Sequence, residues 1–405
     1  MKILFITDRN LIHDIRVYRE IKLATELGHT ADYIAGGFDG WTYHIESEHK
    51  KSSGARNGFY LKDKRINRIP AKILSRIAKL IYPFVKQNLA LAAYSSHYIT
   101  ILIQRKLSQL NEKYDLIVAH GYRTLYPVAQ YASKEKIPFG FDAASFIFEP
   151  DITEDDRNET EKRKLILRRI LPKARYFTYT YDLIGQRIKE ILEGEHIPVN
   201  FELLNGYYQD LFEYRENNDE KINFVWISKR IDIRSGLQLA LPALEVFSDK
   251  IRLHIFGQAT RHFFANVYKH YSDFIILHPP LTLKDLTKAV CKMDIGLSVL
   301  LPYISPALDF TLTNKVFLFA QAGLYTIASK TEAQKKFYTK YPELGKLSDS
   351  NLDDLVAAIE EVIKDIDNIR KNKKVRFDIS KRFAWDNEKE KLAKILSEVQ
   401  DEING

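Results

Sequence analysis

Short segments of apolar, β-branched and aromatic residues alternate with longer helix-like segments along nearly the whole of the chain. This alternation is typical of parallel sheets whose strands are connected by crossover helices. In the first half, strands are predicted at Ile3–Thr7, Ala31–Ala35, Leu116–Ala119, Phe139–Asp142, Tyr176–Thr180 and Phe201–Leu204. In the second half, they are predicted at Phe224–Ile227, Leu253–Phe256, Phe274–Leu277, Asp294–Leu300 and Tyr325–Ala328. The pattern therefore predicts an α/β fold.

A polar segment, Glu213–Glu220, interrupts this alternation about halfway along the chain. The length of 405 residues also exceeds one ordinary α/β core and suits two domains. Two doubly wound domains joined near residue 210 fit the pattern better than one large sheet. Because ligands of such folds bind at the carboxyl ends of the strands, the sequence predicts an active site in a cleft between the domains.

The termini and the cysteine content exclude several protein classes. The segment Met1–Asp8 lacks the long apolar run and the cleavage site of a signal peptide. No stretch of about 18 uncharged apolar residues occurs, so no membrane-spanning helix is predicted. The single cysteine, Cys291, permits neither an intramolecular disulfide nor a Cys-based zinc cluster. The sequence therefore predicts a cytoplasmic protein.

A basic block in the first half predicts contact with an anionic partner. Residues 50–79 contain ten Lys and Arg residues against one acid, Asp63. From Ile73 to Phe84 apolar residues recur at helical spacing, and a basic amphipathic helix of this kind can lie on an anionic membrane surface. The alternatives are a solvated basic face and a core-packed helix with a charged outer side. No nucleic-acid motif accompanies the block, so a nucleic-acid partner is not predicted.

The sequence lacks the common motifs for nucleotide cofactors and for a metal ion. Neither a phosphate-binding P-loop nor a Gly-x-Gly-x-x-Gly motif follows the first predicted strand, which argues against an ATPase and a dinucleotide oxidoreductase. The pair Asp365 and Asp367 lies within a predicted helix, where residues two apart point to different sides. No metal site and no cofactor are therefore predicted.

Local motifs follow one another in a characteristic order. In the first half they are His13–Glu20 continuing to Leu27-Gly28-His29, Tyr114–His120, and Leu203–Gly206 followed by Phe212. In the second half they are Val225–Lys229 with Arg234-Ser235-Gly236, Asp294–Leu297, Thr313–Phe317 with Ala322–Ser329, and Phe383-Ala384-Trp385. In this order the chain resembles the retaining glycosyltransferase family 4, whose members have the architecture called GT-B.

The resemblance covers nearly the whole chain and implies its architecture. The fold it implies is GT-B, with two Rossmann-like doubly wound domains that face each other across a cleft. Residues 1–208 would form the acceptor-side domain and residues 209–382 the nucleotide-sugar-binding domain. The last helix, residues 383–405, would pack back on the first domain.

The resemblance also implies the reaction. The protein would transfer a sugar from a nucleotide-diphosphate donor, a UDP- or GDP-sugar, with retention of configuration. The acceptor would be a glycan or a lipid-linked molecule in the synthesis of a cell-surface polysaccharide or glycoconjugate. Contact with the membrane would be peripheral, at its inner face.

Cleavage of a sugar–phosphate bond leaves extra negative charge on the diphosphate, and without a metal the protein must neutralise that charge. Two predicted helix starts offer backbone amides and cations for this purpose. Arg234 and Ser235 lie at one of these helix starts, after Lys229 at the end of a predicted strand, and Thr313, Asn314 and Lys315 lie at the other. Asp309 lies near the position of a family donor-site glutamate. The alternative for Lys229 and Arg234 is a solvated loop cation.

Three residues of the first half are predicted to serve the transferred sugar or the acceptor. His120 follows an apolar strand, and would contact the sugar or position the acceptor; the alternative is a hydrogen-bonded loop histidine. Asp14 and Arg16 either face the acceptor or form an ion pair in the first turn of a helix.

The chain departs from the family pattern at its donor-site glutamates. Leu318 stands where the second glutamate is expected, and Asp142-Ala143-Ala144-Ser145 replaces the Asp-x-His-Glu of many relatives. These departures leave two other functions open. One is a catalytically weak partner or scaffold subunit of an active transferase, and the other is a sugar-nucleotide epimerase.

Overall fold

The computed structural model describes residues 1–11, 14–37, 50–61, 68–144, 157–231 and 236–405. The chain divides into two compact units. The first comprises Met1–Leu203 together with Lys389–Gly405, and the second comprises Leu204–Glu388.

The first unit is built on a seven-stranded sheet in which the described pairings are all parallel. Its strands are β1 (Lys2–Thr7), β2 (Thr30–Ala35), β3 (Asn57–Tyr60), β4 (Leu116–His120), β5 (Phe139–Ala143), β6 (Tyr176–Tyr179) and β7 (Val199–Glu202). The strand order is β3-β2-β1-β4-β5-β6-β7. The direction of winding therefore reverses between β1 and β4, as in a doubly wound fold.

Helices connect these strands. They are α1 (Ile15–Glu26), α2 (Ile69–Ile81), α3 (Leu89–Ser96), α4 (Tyr98–Ser108), α5 (Tyr122–Glu135), α6 (Arg157–Ile170) and α7 (Asp182–Ile191). Soon after the end of α1, Gly28 has φ +82°, a conformation that favours glycine.

The second unit is built on a six-stranded sheet with the order β10-β9-β8-β11-β12-β13. Its strands are β8 (Ile222–Ile231), β9 (Ile251–Ala259), β10 (Ile275–His278), β11 (Ile295–Ser298), β12 (Tyr325–Ser329) and β13 (Gly345–Ser348). The described pairings are again all parallel, and the winding reverses between β8 and β11. Both units are therefore Rossmann-like, which confirms the predicted fold class.

The helices of the second unit complete its two outer layers. They are α8 (Leu237–Glu245), α9 (Arg261–Phe263), α10 (Leu283–Val290), α11 (Ala307–Phe310), α12 (Asn314–Gln321), α13 (Glu332–Lys340), α14 (Leu352–Lys364), α15 (Ile366–Lys371) and α16 (Lys373–Ser380). A last helix, α17 (Trp385–Asn404), ends the chain. Its residues Leu392, Ile395, Leu396 and Val399 are buried in the core of the first unit.

Two strands were not predicted, and both lie at the edge of a sheet. Every residue of β3 is only half-buried, and β13 begins with a glycine. An edge strand is covered less than a central one, so its sequence carries a weaker apolar signal. In β3 the Asn57-Gly58 pair also resembles a turn signal. Within the described part of the chain, none of the helices combines the length and the apolarity needed to cross a bilayer.

Candidate functional site

In each unit, the carboxyl ends of the two strands where the winding reverses form a natural ligand site. In the second unit these strands are β8 and β11, and in the first unit they are β1 and β4. The residues predicted to bind the donor are in the second unit, and those predicted to serve the sugar or the acceptor are in the first.

The carboxyl end of β8 contains a β-bulge. Its register with β9 shifts between Ile227 and Arg230, so the backbone of Lys229 lies within the bulge. Gly257 on β9 has φ +141°, and a Cβ there would lie 1.8 Å from the carbonyl oxygen of Ser228. Only glycine therefore permits this close approach of the two strands. Bulges of this kind are frequent beside active sites, where they redirect the chain.

The start of α8 lies close to the end of β11. Gly236, the residue before α8, has φ +90°, and a Cβ there would lie 2.6 Å from the carbonyl oxygen of Val299. The predicted phosphate ligands Arg234 and Ser235 directly precede it and lie outside the described residues. The two described ends of this loop are the bulge of β8 and Gly236. Both lie at the carboxyl edge of the sheet.

The start of α12 offers a second group of donors. Thr313 is the residue before the helix, yet its side chain does not cap it, and its Oγ1 is buried without a hydrogen-bond partner. Asn314 is exposed in the first turn. The Nζ of Lys315 lies 5.6 Å from the centre of the Trp226 ring. The indole nitrogen of Trp226 is likewise buried without a hydrogen-bond partner.

Lys315 has an unusual electrostatic environment. Among the described residues no carboxylate pairs with it, and burial lowers its pKa from 10.5 to about 8. A buried polar group without a partner is costly, so several such groups at one place call for an explanation. An anion would pair with the Lys315 ammonium. It would also accept hydrogen bonds from the Thr313 hydroxyl and the first-turn amides of α12.

Asp309 forms a hydrogen bond within the protein, and Leu318 is buried. Oδ1 of Asp309 accepts a hydrogen bond of 2.9 Å from the backbone N–H of Glu332, in the first turn of α13. Leu318 is 2% exposed on α12. At the position of the family's second glutamate the chain therefore has a buried apolar side chain, which cannot bind a ribose hydroxyl.

In the first unit a polar row crosses four neighbouring strands at their carboxyl ends. Thr7 of β1 pairs with His120 of β4, His120 with Asp142 of β5, and Asp142 with Thr178 of β6. All four residues are buried. Thr178 donates a hydrogen bond of 2.6 Å to Oδ1 of Asp142, which makes this carboxylate the centre of the row.

Both ring nitrogens of His120 face carboxylates. Nδ1 lies 3.3 Å from Oδ2 of Asp142, and Nε2 lies 3.4 Å from Oε2 of Glu20. Burial lowers the pKa of His120, but the two carboxylates outweigh that effect and raise its pKa to about 10. The imidazole is therefore protonated at neutral pH. Burial raises the pKa of Glu20, whereas Arg16 and His120 overcome the effect of burial on Asp142 and lower its pKa.

Arg16 connects α1 to β5 and to Leu203, the residue that follows β7. Its guanidinium forms a two-pronged ion pair with Asp142, with Nε donating to Oδ2 at 2.8 Å and Nη2 to Oδ1. Its Nη1 donates to the carbonyl oxygen of Leu203 at 2.6 Å. Asp14 accepts a hydrogen bond of 2.7 Å from the hydroxyl of Thr7. The structure thus brings Asp14, Arg16 and His120 together in one buried network.

Glu20 was missed as a member of this network. Arg16 and Glu20 are four residues apart and Arg19 is buried with them, and three charged residues on the buried face of a helix are a usable signal. The partner of Arg16, Asp142, lies 126 residues away. Such a separation explains why the sequence could not assign the pair.

The cluster Glu20, His120 and Asp142 has the composition of a metal site, since one ligand atom from each lies within 4.8 Å of the others. Its chemistry fits an ion-pair network better. Arg16 occupies both oxygens of Asp142, and the raised pKa of His120 keeps its nitrogens protonated rather than free to bind a metal.

No family model matches the sequence, and a search of curated proteins finds no match. Solved structures are similar in fold over nearly the whole chain. Anabaena HepE in complex with UDP has a TM-score of 0.68 at 13% identity, covering 98% of this chain and all of its own. Sucrose-phosphate synthase from Thermosynechococcus elongatus has a TM-score of 0.71 at 13% identity, covering 99% of each chain.

A third similar structure is the UDP-GlcNAc 2-epimerase of Neisseria meningitidis bound to UDP-GlcNAc. Its TM-score is 0.59 at 12% identity, and the match covers 98% of this chain and all of the epimerase. At such low identities these similarities establish the fold alone, which is GT-B.

Proposed function

We propose that this protein is a glycosyltransferase that takes a sugar from a UDP- or GDP-sugar and transfers it to a glycan or lipid-linked acceptor. The observation that carries the proposal is the group at the start of α12. Among the described residues, no carboxylate pairs with the Lys315 ammonium and the Thr313 hydroxyl has no hydrogen-bond partner. A diphosphate supplies the missing charge and acceptors. The UDP complex of HepE, a protein of the same fold, supports this choice of ligand.

The reaction follows from the charge that such a site would stabilise. As the sugar–phosphate bond breaks, negative charge grows on the diphosphate oxygens, and fixed cations and helix-start amides stabilise that charge most in the transition state. We assign this role to Lys315, Thr313 and Asn314 at α12 and to Lys229, Arg234 and Ser235 at the loop before α8. Asp309 would offer the donor its second oxygen, Oδ2, because Oδ1 accepts the hydrogen bond from the N–H of Glu332. The mechanism would need no metal.

For the first unit we propose that His120 acts as a positioning residue. Its side chain is fully buried and both nitrogens face carboxylates, so the geometry favours holding α1 and the strand ends over direct contact with a sugar. Asp14 and Arg16 would hold the same edge of the sheet for the acceptor. Retention of configuration and a role in cell-surface polysaccharide synthesis are the finer parts of this proposal. A lipid-linked acceptor would additionally require peripheral contact with an anionic membrane.

The second candidate function is a sugar-nucleotide epimerase. It is favoured by the fold similarity to the Neisseria 2-epimerase over the full length of both chains. An epimerase needs no acceptor, so incubation of the protein with UDP-sugars alone separates the two functions. A new nucleotide-sugar epimer would select the epimerase, and sugar transferred to an added acceptor would select the transferase.

The proposal is tested by thermal unfolding with UDP, GDP, ADP and CDP and with the corresponding nucleotide sugars, without magnesium. We expect nucleotide diphosphates to raise the melting temperature. Because Leu318 replaces a carboxylate that would hold the ribose, several bases should give similar shifts. A stabilisation that requires magnesium would contradict the metal-free mechanism. No shift with any nucleotide would favour a noncatalytic partner subunit.

A further inference from the structure

The helix α2 packs with its small residues and exposes its large apolar ones. Ala71, Ser75, Ala78 and Tyr82 recur on one face, where both alanines and Tyr82 are buried and Ser75 donates a hydrogen bond of 2.8 Å to the carbonyl oxygen of Tyr94 on α3. The outward face and the 3₁₀ turn that follows the helix carry large apolar side chains that are between 42% and 86% exposed. They are Ile69, Ile73, Leu74, Ile77, Leu80 and Ile81 on α2, and Phe84 and Val85 after it. A surface helix of a soluble protein ordinarily has the opposite arrangement.

These side chains form one continuous stripe rather than scattered exceptions. Of the eighteen exposed large apolar side chains in the part of the chain that the structure describes, eight fall within residues 69–85. Leu80 and Phe84, one turn apart, are the most exposed, at 74% and 86%. Singly exposed apolar residues are normal, but a contiguous patch of this kind marks an interaction surface. The core-packed alternative for this helix is therefore wrong.

The charges beside the stripe all have one sign. Arg68, Lys72, Arg76 and Lys79 recur at three- and four-residue spacing, so they form a row along one flank of α2, and all four are exposed. The sequence from residue 64 to residue 111 contains no Asp or Glu. Two acids of α6, Glu161 and Glu159, act on Tyr82 at the end of this surface. Glu161 pairs with Lys164, and Glu159 pairs with Lys162 and Arg163. The surface therefore joins exposed apolar groups to four cations with which no carboxylate of the described residues forms an ion pair.

We propose that this surface, residues 68–86, docks on an anionic lipid bilayer, with the apolar stripe inserted among the headgroups and the cationic row facing lipid phosphates. A helix of 13 residues is about 20 Å long, too short to span a bilayer, so it would lie in the plane of the interface. The lysine and arginine stems would cover the apolar edge while their charged ends reach the headgroups.

The charge pattern decides between a bilayer and a second copy of the chain. In a two-fold symmetric dimer the same patch meets itself, which would gather the cations of both copies at one interface, and residues 64–111 contain no acid to pair with them. An anionic bilayer offers both negative charge and an apolar layer below it. The surface belongs to the first unit, so the proposal stands independently of the donor site in the second unit.

The first test is sedimentation with vesicles of phosphatidylcholine alone and of phosphatidylcholine with 30% phosphatidylglycerol, without nucleotide. We expect binding to the anionic vesicles and little to the neutral ones. The variant Lys72→Gln/Arg76→Gln/Lys79→Gln should bind about 100-fold more weakly, at about fivefold for each cation. Leu80→Glu/Phe84→Glu keeps every cation and should also lose binding by more than tenfold. The control Val375→Glu, at a 51% exposed site in the second unit, should bind as the parent does.

The second test measures insertion. Cys291 is the single cysteine and is buried, so Cys291→Ala provides a background in which Phe84→Cys can carry an environment-sensitive fluorophore. The fluorophore at position 84 should brighten and shift to the blue on anionic vesicles, whereas one at Val375→Cys should not. Far-UV circular dichroism and the melting temperature verify that each variant is folded.

Three results would overturn the proposal. The first is equal sedimentation with both kinds of vesicle. The second is anionic binding that Leu80→Glu/Phe84→Glu leaves unchanged, because that would be charge attraction without insertion. The third is a dimer in light scattering that this variant abolishes in the absence of lipid, since the stripe would then be an interface between copies. Nucleotide shifts in the same samples report separately on the proposed function.

Discussion

The Nζ of Lys315 lies 5.6 Å from the centre of the Trp226 ring, in a site where burial lowers the pKa of the lysine to about 8. An aromatic face attracts a cation, but it does not replace a counter-ion. The pair joins the first turn of α12 to the middle of β8. An anion bound at the start of α12 would therefore lie beside a cation that has no carboxylate partner among the described residues.

We predict that UDP stabilises the protein without magnesium and that Lys315→Ala removes most of this effect. Ligand at about 100 times the dissociation constant adds about 2.7 kcal/mol to the free energy of unfolding, which a melting curve detects readily. Lys229→Ala should also lose most of the shift. The matched control is Lys364→Ala at a 69% exposed surface lysine, which should retain the full shift. Equal shifts in all three variants would show that the nucleotide binds elsewhere.

The affinity for UDP should fall as the pH rises through about 8. The pKa of Lys315 is lowered by burial, so this ammonium loses its proton near pH 8 when the site is empty. A bound diphosphate favours the charged form, so binding and protonation are linked, with a decline of at most about tenfold per pH unit. Titration calorimetry from pH 7 to 9.5 measures this. Lys315→Arg keeps its charge throughout, and a decline of the same size in that variant would contradict the assignment.

His120→Ala should lower sugar transfer and leave nucleotide binding nearly unchanged. The variant removes the cation between Glu20 and Asp142, and disruption of a buried ion pair costs about 3–5 kcal/mol of folding stability. The proposed nucleotide site lies in the other unit, so the melting shift with UDP should persist. Unfolding in urea, UDP calorimetry and transfer assays on the same preparation separate these effects. Normal turnover in a folded variant would return His120 to a purely structural role.

The same cluster should make the free energy of unfolding depend on pH. The pKa of His120 in the folded protein is raised to about 10, so its contribution is complete below its unfolded pKa of about 6.5 and is lost as the pH rises through 10. The raised pKa of Glu20 acts in the same direction, because the buried carboxylate becomes charged as the pH increases. Stability measured in urea should therefore fall between pH 6.5 and 10. In His120→Ala that fall should be clearly smaller; an unchanged slope would point to other groups.

Arg16→Lys should destabilise the first unit by about 3 kcal/mol, although it keeps the charge. A lysine cannot reproduce the two-pronged contact with Asp142 and also reach the carbonyl of Leu203, so buried acceptors lose their partners. The control Arg187→Lys alters an exposed pair with Glu190 and should change stability by about 0.5 kcal/mol or less. Comparable denaturation midpoints for the two variants would contradict this reading of the network.

The sequence by itself determined the two parallel sheets and their approximate strand positions. A central strand such as β1 is buried on both faces, so its apolar run is long enough to recognise, and glycines such as Gly28 mark where helices end. The edge strands β3 and β13 escaped prediction because they are only partly covered. The chain order of motifs was sufficient to place Thr313, Asn314 and Lys315 at the start of a helix.

Only the tertiary structure decided which charges are paired. Asp142 lies 126 residues from Arg16, and a separation of this size leaves no trace in local spacing. The tertiary structure also decided which face of α2 is buried. The sequence shows that this helix has an apolar stripe and a basic flank, but it does not show which face packs against the rest of the unit. The small side chains of Ala71 and Ala78 allow close packing against the first unit, and this contact leaves Leu80 and Phe84 exposed. Periodicity shows that a helix has two faces, whereas the neighbours that the fold supplies determine which of them is covered.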